Sequence, residues 1–371
     1  MNRYKTCRVL CEGQRVGTLA TDPRHRVAFE YDEEWLVRGF SLNPLSLPLE
    51  KKVFLPRGYD PFEGLFGVFA DSLPDGWGRM VVDRLLRKNN INAKEIDSLT
   101  RLTIVGASGM GALCYEPEND LPSGRTSLSL DQIAEECQKI FADEVSGNLD
   151  DLFRMGGSSG GARPKVFYQL DGEEWIVKFP SSLDDPDIGD QEYAYSLCAR
   201  KCGLEVPEKR LLPSPLCSGY IAVKRIDRKE GRRIHMVSAS GLLETSHRIP
   251  NLDYIFLMQL TMALTHDYQE IEKLYRLMCF NVFAHNRDDH SKNFSWLYEN
   301  GRWRLSPAYD LTYSSSLGGE HATTINGNGR DPGLRDLLAV AEKIRLDSSE
   351  ARQIAEETQE IVQGELGRYL N

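Results

Sequence analysis

Long hydrophobic segments are absent from this sequence of 371 residues, in which no run of 18 apolar residues occurs. We therefore expect no membrane-spanning helix. The first eight residues, Met-Asn-Arg-Tyr-Lys-Thr-Cys-Arg, have no apolar stretch of the kind found in secretory signals, and we expect a cytoplasmic protein. None of the eight cysteines forms a C-x-x-C pair, which argues against a zinc ribbon or a dithiol redox site and favours buried, reduced thiols.

Positive charge is in deficit: Lys and Arg number 45 against 55 Asp and Glu, which gives a formal net charge of −10. Broad binding of nucleic acid depends on Lys and Arg, so this balance argues against it, although a DNA-binding partner stays open. Hydrophobic residues make up 41% and charged residues 27%, values typical of a globular protein. The length predicts two domains or one large two-lobed unit.

Several catalytic motifs are missing as well. The sequence has no H-E-x-x-H and no G-K-[ST], which excludes a zincin-type metalloprotease and a P-loop NTPase. Residues 156–161 match G-x-S-x-G but lead into a predicted strand, whereas a nucleophile elbow lies between a strand and a helix. The second glycine-rich stretch, residues 106–111, is interpreted as a tight turn. Five histidines are interpreted as ordinary surface or core residues: His25, His235, His247, His266 and His321.

Turn residues and apolar spacing give a coarse outline of the secondary structure. The first 40 residues predict short strands at 8–11, 16–20 and 26–31. Asp75 is interpreted as the N-cap of a helix with one apolar side. The polar residues 117–129 predict a linker, and helical spacing dominates beyond residue 250 and in the tail from 348 to 369.

The segment that points most clearly to chemistry is His285-Asn286-Arg287-Asp288-Asp289-His290-Ser291-Lys292-Asn293. It ends a predicted helix, and a predicted hairpin separates it from Tyr309-Asp310. Asp288 thus precedes Asn293 by five residues, and Asp310 follows 22 residues after Asp288. Kinases use such a set: one carboxylate orients the attacking hydroxyl, while an amide oxygen and a second carboxylate hold Mg²⁺ on the nucleotide phosphates.

A second group of residues upstream fits the same chemistry. The glycine- and serine-rich residues 156–165 supply permissive backbone for phosphate binding and run into a strand. Asp171-Gly172 predicts a hairpin turn after this strand. Lys178 lies on the return strand of that hairpin, inside an apolar stretch, where a buried lysine needs an anionic partner. Glu192 in the next helix is a candidate partner for Lys178.

Two other interpretations of these residues stay open at this point. The segment could be a polar surface loop in which D-x-x-x-x-N arises by chance. It could also be a two-metal nuclease or phosphatase site built from Asp288, Asp289, His290 and Asp310. The order of glycine loop, strand lysine, helix glutamate, D-x-x-x-x-N, hairpin and aspartate favours the kinase.

Three strings together carry a resemblance to a known family: residues 158–165 (SSGGARPK), residues 288–293 (DDHSKN) and Tyr309-Asp310. At these residues the chain resembles the HipA family of serine/threonine protein kinases, the toxin component of HipBA toxin–antitoxin modules. The resemblance implies an α+β, bilobal protein-kinase-like (PI3/4-kinase-like) fold with a β-rich N-terminal subdomain and a mainly helical C-terminal lobe. It predicts an N-terminal subdomain at 1–120, the rest of the N-lobe at 121–228 and the helical C-lobe at 229–371.

The resemblance also implies ATP as phosphate donor and Mg²⁺ as its metal ion. It implies that Asp288 is the catalytic residue, that His290 supports its loop, and that Asn293 and Asp310 are metal ligands. The nucleotide would be bound at the phosphates by Gly160, Gly161, Ala162, Lys165 and Lys178, at the adenine by Lys224 and Ile226, and at the ribose by Asp227. Glu192 would form a structural ion pair, and Ser158 or, second, Ser159 would be the site of inactivating autophosphorylation. A phosphate at Ser158 would place negative charge where the phosphates of ATP must bind.

Partners follow from the same resemblance. Family members phosphorylate a protein such as an aminoacyl-tRNA synthetase, which arrests growth. They are neutralised by a HipB-like helix-turn-helix antitoxin, so that DNA is contacted only through that partner. Two rival functions remain: a small-molecule kinase of the aminoglycoside or choline type, although His285 stands three residues before Asp288 and not two, and a non-catalytic corepressor subunit.

Overall fold

The computed structural model describes residues 4–119, 128–144, 146–156, 161–181, 184–315 and 317–370. The chain divides into two compact units. The first unit contains Met1–Gly189, Leu212–Val237 and Gly241–Thr245, and the second contains Asp190–Leu211, Ser238–Ser240 and Ser246–Asn371. Part of the segment that the sequence analysis placed in the N-lobe, Asp190–Leu211, thus clusters with the second unit.

The described residues form helices α1 Glu33–Arg38, α2 Gly67–Ala70, α3 Gly76–Lys88, α4 Ser98–Val105, α5 Leu130–Phe141, α6 Leu149–Gly156, α7 Ile188–Lys201, α8 Ala239–Leu243, α9 Tyr254–Thr265, α10 Tyr268–Phe283, α11 Leu334–Lys343 and α12 Ser348–Leu366. The strands are β1 Thr6–Cys11, β2 Gln14–Thr21, β3 Val27–Tyr31, β4 Val53–Phe54, β5 Leu113–Glu116, β6 Lys165–Leu170, β7 Glu173–Lys178, β8 Lys209–Leu212, β9 Tyr220–Lys224, β10 Arg228–Lys229, β11 Arg232–Arg233, β12 His235–Ser238, β13 Leu252–Asp253, β14 Ser295–Glu299, β15 Arg302–Leu305 and β16 Thr323–Thr324. Among these helices, none combines the length and the hydrophobicity that crossing a bilayer requires.

The N-terminal part of the first unit is an antiparallel sheet in the order β4-β3-β2-β1-β5. Its strands alternate buried and exposed side chains, as in β1, where Cys7, Val9 and Cys11 face the core. This alternation is what one packed face of a sheet requires, and it confirms the three short strands that the turn residues predict.

A second sheet in the first unit contains β6, β7 and β9, which pair antiparallel in that order. Its buried face packs with α3, α5 and α6 in one hydrophobic cluster, where Trp77 of α3 joins Val166 of β6 and Trp175 of β7. The tight turn at Asp171-Gly172 closes the β6–β7 hairpin, as the sequence predicts.

The second unit is mainly helical. Helix α10 packs against α9 and α12, and the β14–β15 hairpin packs against α9 and α10. Asp253 and Asp267 cap α9 and α10 by accepting hydrogen bonds from Ile255 N and Gln269 N at 2.9 Å each. The cap at Asp267 fixes where α10 begins, and α10 leads directly into the segment with the D-x-x-x-x-N pattern.

One buried histidine of the first unit predicts acid sensitivity. His235 Nε2 donates to the carbonyl oxygen of Leu42 at 2.9 Å, and burial lowers the pKa of His235 from 6.5 to about 4. The folded state thus binds this proton less readily than the unfolded state. The contribution of neutral His235 to the free energy of unfolding is fully present above pH 6.5. It falls by about 3 kcal/mol as the pH drops towards 4.

We expect urea titrations of the wild type to show this loss of unfolding free energy between pH 6.5 and 4, beyond the loss shown by His235→Gln. Glutamine keeps a donor for Leu42 and has no proton to gain. If the unfolding free energies of the wild type and of His235→Gln fell in parallel with pH, His235 would not be the source of the acid sensitivity.

Candidate functional site

The loop that contains Asp288 is closed by hydrogen bonds from Asn293. The side-chain Nδ2 of Asn293 donates to the carbonyl oxygen of Asp288 at 2.7 Å, and its backbone N donates to the carbonyl oxygen of His290 at 2.8 Å. Because the amide nitrogen is engaged in this way, Oδ1 is the atom that Asn293 can offer to a cation. The side chain of Asp288 is 61% exposed and is therefore accessible to a substrate hydroxyl.

His290 lies beside the Asp288 carboxylate. Its Nε2 is 3.8 Å from Asp288 Oδ1, and its Nδ1 accepts a hydrogen bond from Lys292 N at 3.2 Å. The ring of His247 lies 5.7 Å from that of His290. These contacts hold the imidazole at the edge of the loop, in a position compatible with the supporting role that the resemblance implies.

Asp289 is fully buried beneath the loop. Its Oδ2 accepts hydrogen bonds from Tyr254 Oη at 2.9 Å and from His321 Nδ1 at 3.0 Å, while Oδ1 accepts one from Thr323 N at 3.2 Å. Burial, and then the Asp289 carboxylate, raise the pKa of Tyr254 well above 10. A carboxylate occupied by three donors and closed to solvent anchors the loop. It is unsuited to the two-metal site considered above.

Sequence reasoning missed the part that His321 plays. It treats His321 as an ordinary surface or core residue, and the side chain is indeed buried. Its partner Asp289 lies 32 residues earlier in the chain, so no local spacing signals the pair. Asn281 extends the same network by donating from Nδ2 to Tyr254 Oη at 2.9 Å and accepting from Asn286 Nδ2 at 2.9 Å.

The hairpin that the sequence predicts between Asn293 and Asp310 is present as β14–β15. After it, Tyr309 Oη donates to the carbonyl oxygen of Lys292 at 2.6 Å and lies 2.6 Å from Ser295 Oγ. The residues next to Asp310 and Asn293 in the chain, Tyr309 and Lys292, are thus joined directly. Asp310 itself has a left-handed backbone conformation, with φ of 52°.

In the first unit, two lysines lie side by side at the end of the β6–β7 hairpin. Lys165 and Lys178 are directly opposite residues of the antiparallel pair and therefore share one face, and they are only 8% and 9% exposed. A Cβ atom added at Gly161 would lie 2.7 Å from Lys165 Nζ. The glycine thus lets its backbone approach the ammonium group closely. Two buried ammonium groups on one face favour an anion there.

The rest of the glycine-rich segment is only partly described. Ala162 is exposed and follows Gly161. Gly160, Ser158 and Ser159 lie outside the described residues, so their predicted roles stay predictions.

Asp227, which the resemblance places at the ribose, has several partners inside the protein, and its predicted role stays a prediction. The Asp227 carboxylate is completely buried, and it accepts hydrogen bonds from Arg225 Nε and Nη2 at 3.0 and 2.8 Å, from Arg228 Nη1 at 2.8 Å and from Gly111 N at 2.6 Å. Burial alone would raise the pKa of Asp227, but the two guanidinium groups hold it below 3.8. A side chain so fully bonded inside the protein would have to abandon these partners to reach a sugar.

The other predicted residues around β9 are more accessible. Lys224 is the last residue of β9, and its ammonium group pairs with Glu173 of β7. Ile226 follows in the turn after β9 and is half-buried. The adenine contact that the resemblance implies for them stays a prediction.

Glu192 of α7 forms an ion pair with Lys209 of β8. Glu192 Oε1 lies 3.2 Å from Lys209 Nζ, and both side chains are 2% exposed. The sequence analysis did not identify Lys209, and its pairing of Glu192 with Lys178 stays a prediction. Glu192 lies on the buried face of its helix, where a carboxylate needs a partner, and Lys209 supplies the opposite charge.

The residues Asn293 and Asp310 suit a hard cation. Among the described residues, no cluster of three or more His, Cys, Asp and Glu could hold a metal ion. One amide oxygen and one carboxylate are instead the incomplete oxygen set that Mg²⁺ accepts when phosphates and water supply the remaining ligands. The orientation of Asn293, with Nδ2 turned to the loop, fits this donor set.

Comparisons with known proteins agree with this picture. The HipA-like C-terminal domain matches residues 157–365, and the HipA N-terminal domain matches residues 7–116. A protein of Sinorhizobium fredii named "Putative kinase Y4dM" is 23% identical over 81% of this chain and 75% of its own length. The toxin YjjJ of Escherichia coli is 22% identical over 67% of this chain and 60% of its own length.

A solved structure shows the same fold. The HipA of Shewanella oneidensis, in a complex with HipB and operator DNA, matches with a TM-score of 0.72 at 18% identity, over 97% of this chain and 90% of that chain. This confirms the expected α+β fold class with two units. The C-terminal family match alone spans more than half of the residues, and the chain therefore belongs to the HipA family.

Proposed function

We propose that this chain is an ATP- and Mg²⁺-dependent serine/threonine protein kinase of the HipA toxin type. The observation that carries the proposal is the loop from Asp288 to Asn293, in which an exposed carboxylate and a correctly turned amide are held over the buried Asp289. Tyr309 ties the segment of Asp310 to the same loop. This is the residue set that phosphoryl transfer to a hydroxyl requires.

Each residue has a definite task in this proposal. Asp288 accepts a hydrogen bond from the substrate hydroxyl and aligns its oxygen with the phosphorus of the transferred group. Lys165, Lys178 and the backbone of residues 161–165 bind the triphosphate. Asn293 and Asp310 would hold Mg²⁺, which when bound neutralises charge on the phosphate oxygens.

The relatives support kinase and toxin activity. One is named as a kinase and another as a toxin, and the Shewanella oneidensis HipA was solved with HipB on operator DNA. By analogy we propose a HipB-like antitoxin as partner, with DNA contacted only through it. We further propose a protein substrate, such as an aminoacyl-tRNA synthetase, and self-modification at Ser158 or Ser159 in a cytoplasmic setting.

Incubation with γ-labelled ATP, Mg²⁺ and a host lysate tests this function. We expect label on one lysate protein and on the chain itself, with mass spectrometry locating phosphate in the peptide that contains Ser158 and Ser159. Omission of Mg²⁺ should abolish both. Label appearing only on a small molecule would favour the aminoglycoside-type kinase, and ATP binding with no transfer at all would favour the non-catalytic subunit.

A further inference from the structure

Residues 75–77, at the start of α3, contact the end of the glycine-rich segment at several points. The Asp75 carboxylate accepts a hydrogen bond from Gly161 N through Oδ1. Trp77 N donates to the carbonyl oxygen of Gly161 at 2.9 Å, and Trp77 Nε1 donates to that of Lys165 at 3.2 Å. Asp75 and Trp77 thus bind both backbone groups of Gly161, and Trp77 also binds the first residue of β6.

The interpretation of Asp75 as a helix cap is only half correct. Asp75 does stand at the N-cap position of α3, but its side chain makes no capping hydrogen bond to that helix. The carboxylate turns to Gly161, 86 residues further along the chain. A residue that stands at a cap position and bonds elsewhere points to a task other than starting the helix.

Gly76 makes this contact possible. Its backbone has φ of +42°, and a Cβ atom added there would lie 2.4 Å from the carbonyl oxygen of Gly161 and 3.1 Å from Cα of Ala162. No other residue type allows the two backbones to come so close. In the sequence Asp75-Gly76-Trp77, Asp75 therefore accepts a hydrogen bond from Gly161, Gly76 allows the close approach of the two backbones, and Trp77 donates a hydrogen bond to Gly161.

The contact is built on a rigid part of the fold. Trp77 is fully buried in the hydrophobic cluster that also contains Val166 and Trp175, and its ring lies 5.4 Å from that of Phe141. A fixed tryptophan on a 13-residue helix can hold the segment in one place. This favours a permanent support over a switch.

We propose that Asp75 is a positioning residue for the phosphate-binding segment. By accepting the N–H of Gly161, it holds residues 161–165, and with them the ammonium group of Lys165, in the conformation that receives a triphosphate. The inference rests on the proposed function for the identity of the ligand, ATP. It extends that function by giving the N-terminal subdomain a part in nucleotide binding, through the segment that it holds.

The test compares Asp75→Ala, Asp75→Asn and the control Asp97→Ala in the full chain. Asp97 also stands at the N-cap position of a helix in the first unit, but its side chain does cap that helix, accepting a hydrogen bond from Thr100 N at 2.7 Å. Titration calorimetry with ATP and Mg²⁺ measures affinity, and hydrogen exchange measures protection of the peptide containing residues 161–165.

For Asp75→Ala we expect the Kd and KM for ATP to rise about tenfold, the loss expected from one charge-assisted hydrogen bond, with kcat within about twofold. Exchange at residues 161–165 should become faster. Asp75→Asn keeps an acceptor and should lose about threefold in affinity. The control should keep the wild-type affinity and the wild-type exchange of this peptide even if its melting temperature falls.

Wild-type affinity in Asp75→Ala would overturn the inference. Tighter binding would do so too, because it would show that the carboxylate competes with phosphate, and so would an equal loss in the control. Should Asp75→Ala not fold, Asp75→Asn replaces it, and an affinity equal to wild type then overturns the inference. If the wild type binds no ATP, it is the proposed function that fails, and the exchange data still report the Asp75 contact.

Discussion

Replacement of Asp288 by Asn should leave the fold intact and reduce phosphate transfer by roughly 10³-fold, within the range that a catalytic acid–base residue contributes. The side chain is mostly exposed, and the bond that closes the loop runs from Asn293 to the backbone carbonyl of residue 288, which the substitution keeps. An amide cannot accept the proton of the substrate hydroxyl. The effect is measured as the initial rate of phosphate transfer from γ-labelled ATP to the lysate protein identified in the labelling experiment.

The matched control is Asp347→Asn in the same unit. Asp347 caps α12 by accepting hydrogen bonds from Ser349 N and Glu350 N at 2.9 and 3.0 Å, and Asn caps helices as well as Asp does. We expect wild-type transfer from this variant. Comparable rates for Asp288→Asn and the wild type would remove Asp288 from the mechanism.

Replacement of Asp227 by Ala should destabilise the first unit by about 3–5 kcal/mol, the cost of leaving a buried charge without its partner. The substitution removes the buried counterion of Arg225 and Arg228, whose side chains are 2% and 8% exposed. The more exposed Glu174 is then the carboxylate that still pairs with both guanidinium groups, at 3.3 Å each. We expect the melting temperature to fall by about 10 °C in calorimetry at pH 7. At that pH the stabilisation is fully present, because the lowered pKa of Asp227 places its loss below pH 3.8.

Glu116→Ala is the matched control for this second prediction. Glu116 pairs with Arg8 at 3.1 Å on the surface, where the two side chains are about half exposed, and such pairs contribute under about 1 kcal/mol. A shift as small for Asp227→Ala as for Glu116→Ala would contradict the structural role. It would also favour the role at the ribose that the resemblance implies for Asp227.

The local structure follows from the sequence because it depends on neighbouring residues. Alternation of apolar residues predicts β1 to β3, and the glycine at position 172 predicts the β6–β7 turn. The tail helix is found at Ser348–Leu366, within the range that its spacing predicts. The D-x-x-x-x-N pattern and the hairpin before Asp310 are local features as well.

Pairings between distant residues could not be predicted in this way. The fold brings distant segments of the chain together. Only for that reason does Asp289 bond to His321, Glu192 pair with Lys209 and Asp75 bond to Gly161. The contacts of Asp227 have the same origin. Its buried position depends on Arg228 and on Gly111, whose stretch the sequence shows only as a tight turn.

The central claim of the proposed function is that Asn293 and Asp310 hold the Mg²⁺ of a bound ATP. A crystal structure of the chain with Mg²⁺ and a non-hydrolysable ATP analogue tests it most directly. The account predicts Lys178 Nζ within hydrogen-bonding distance of a phosphate oxygen, and Mg²⁺ coordinated by both Asn293 Oδ1 and the Asp310 carboxylate at about 2.1 Å. A nucleotide bound away from these side chains, or a metal ion that touches neither Asn293 nor Asp310, would contradict it.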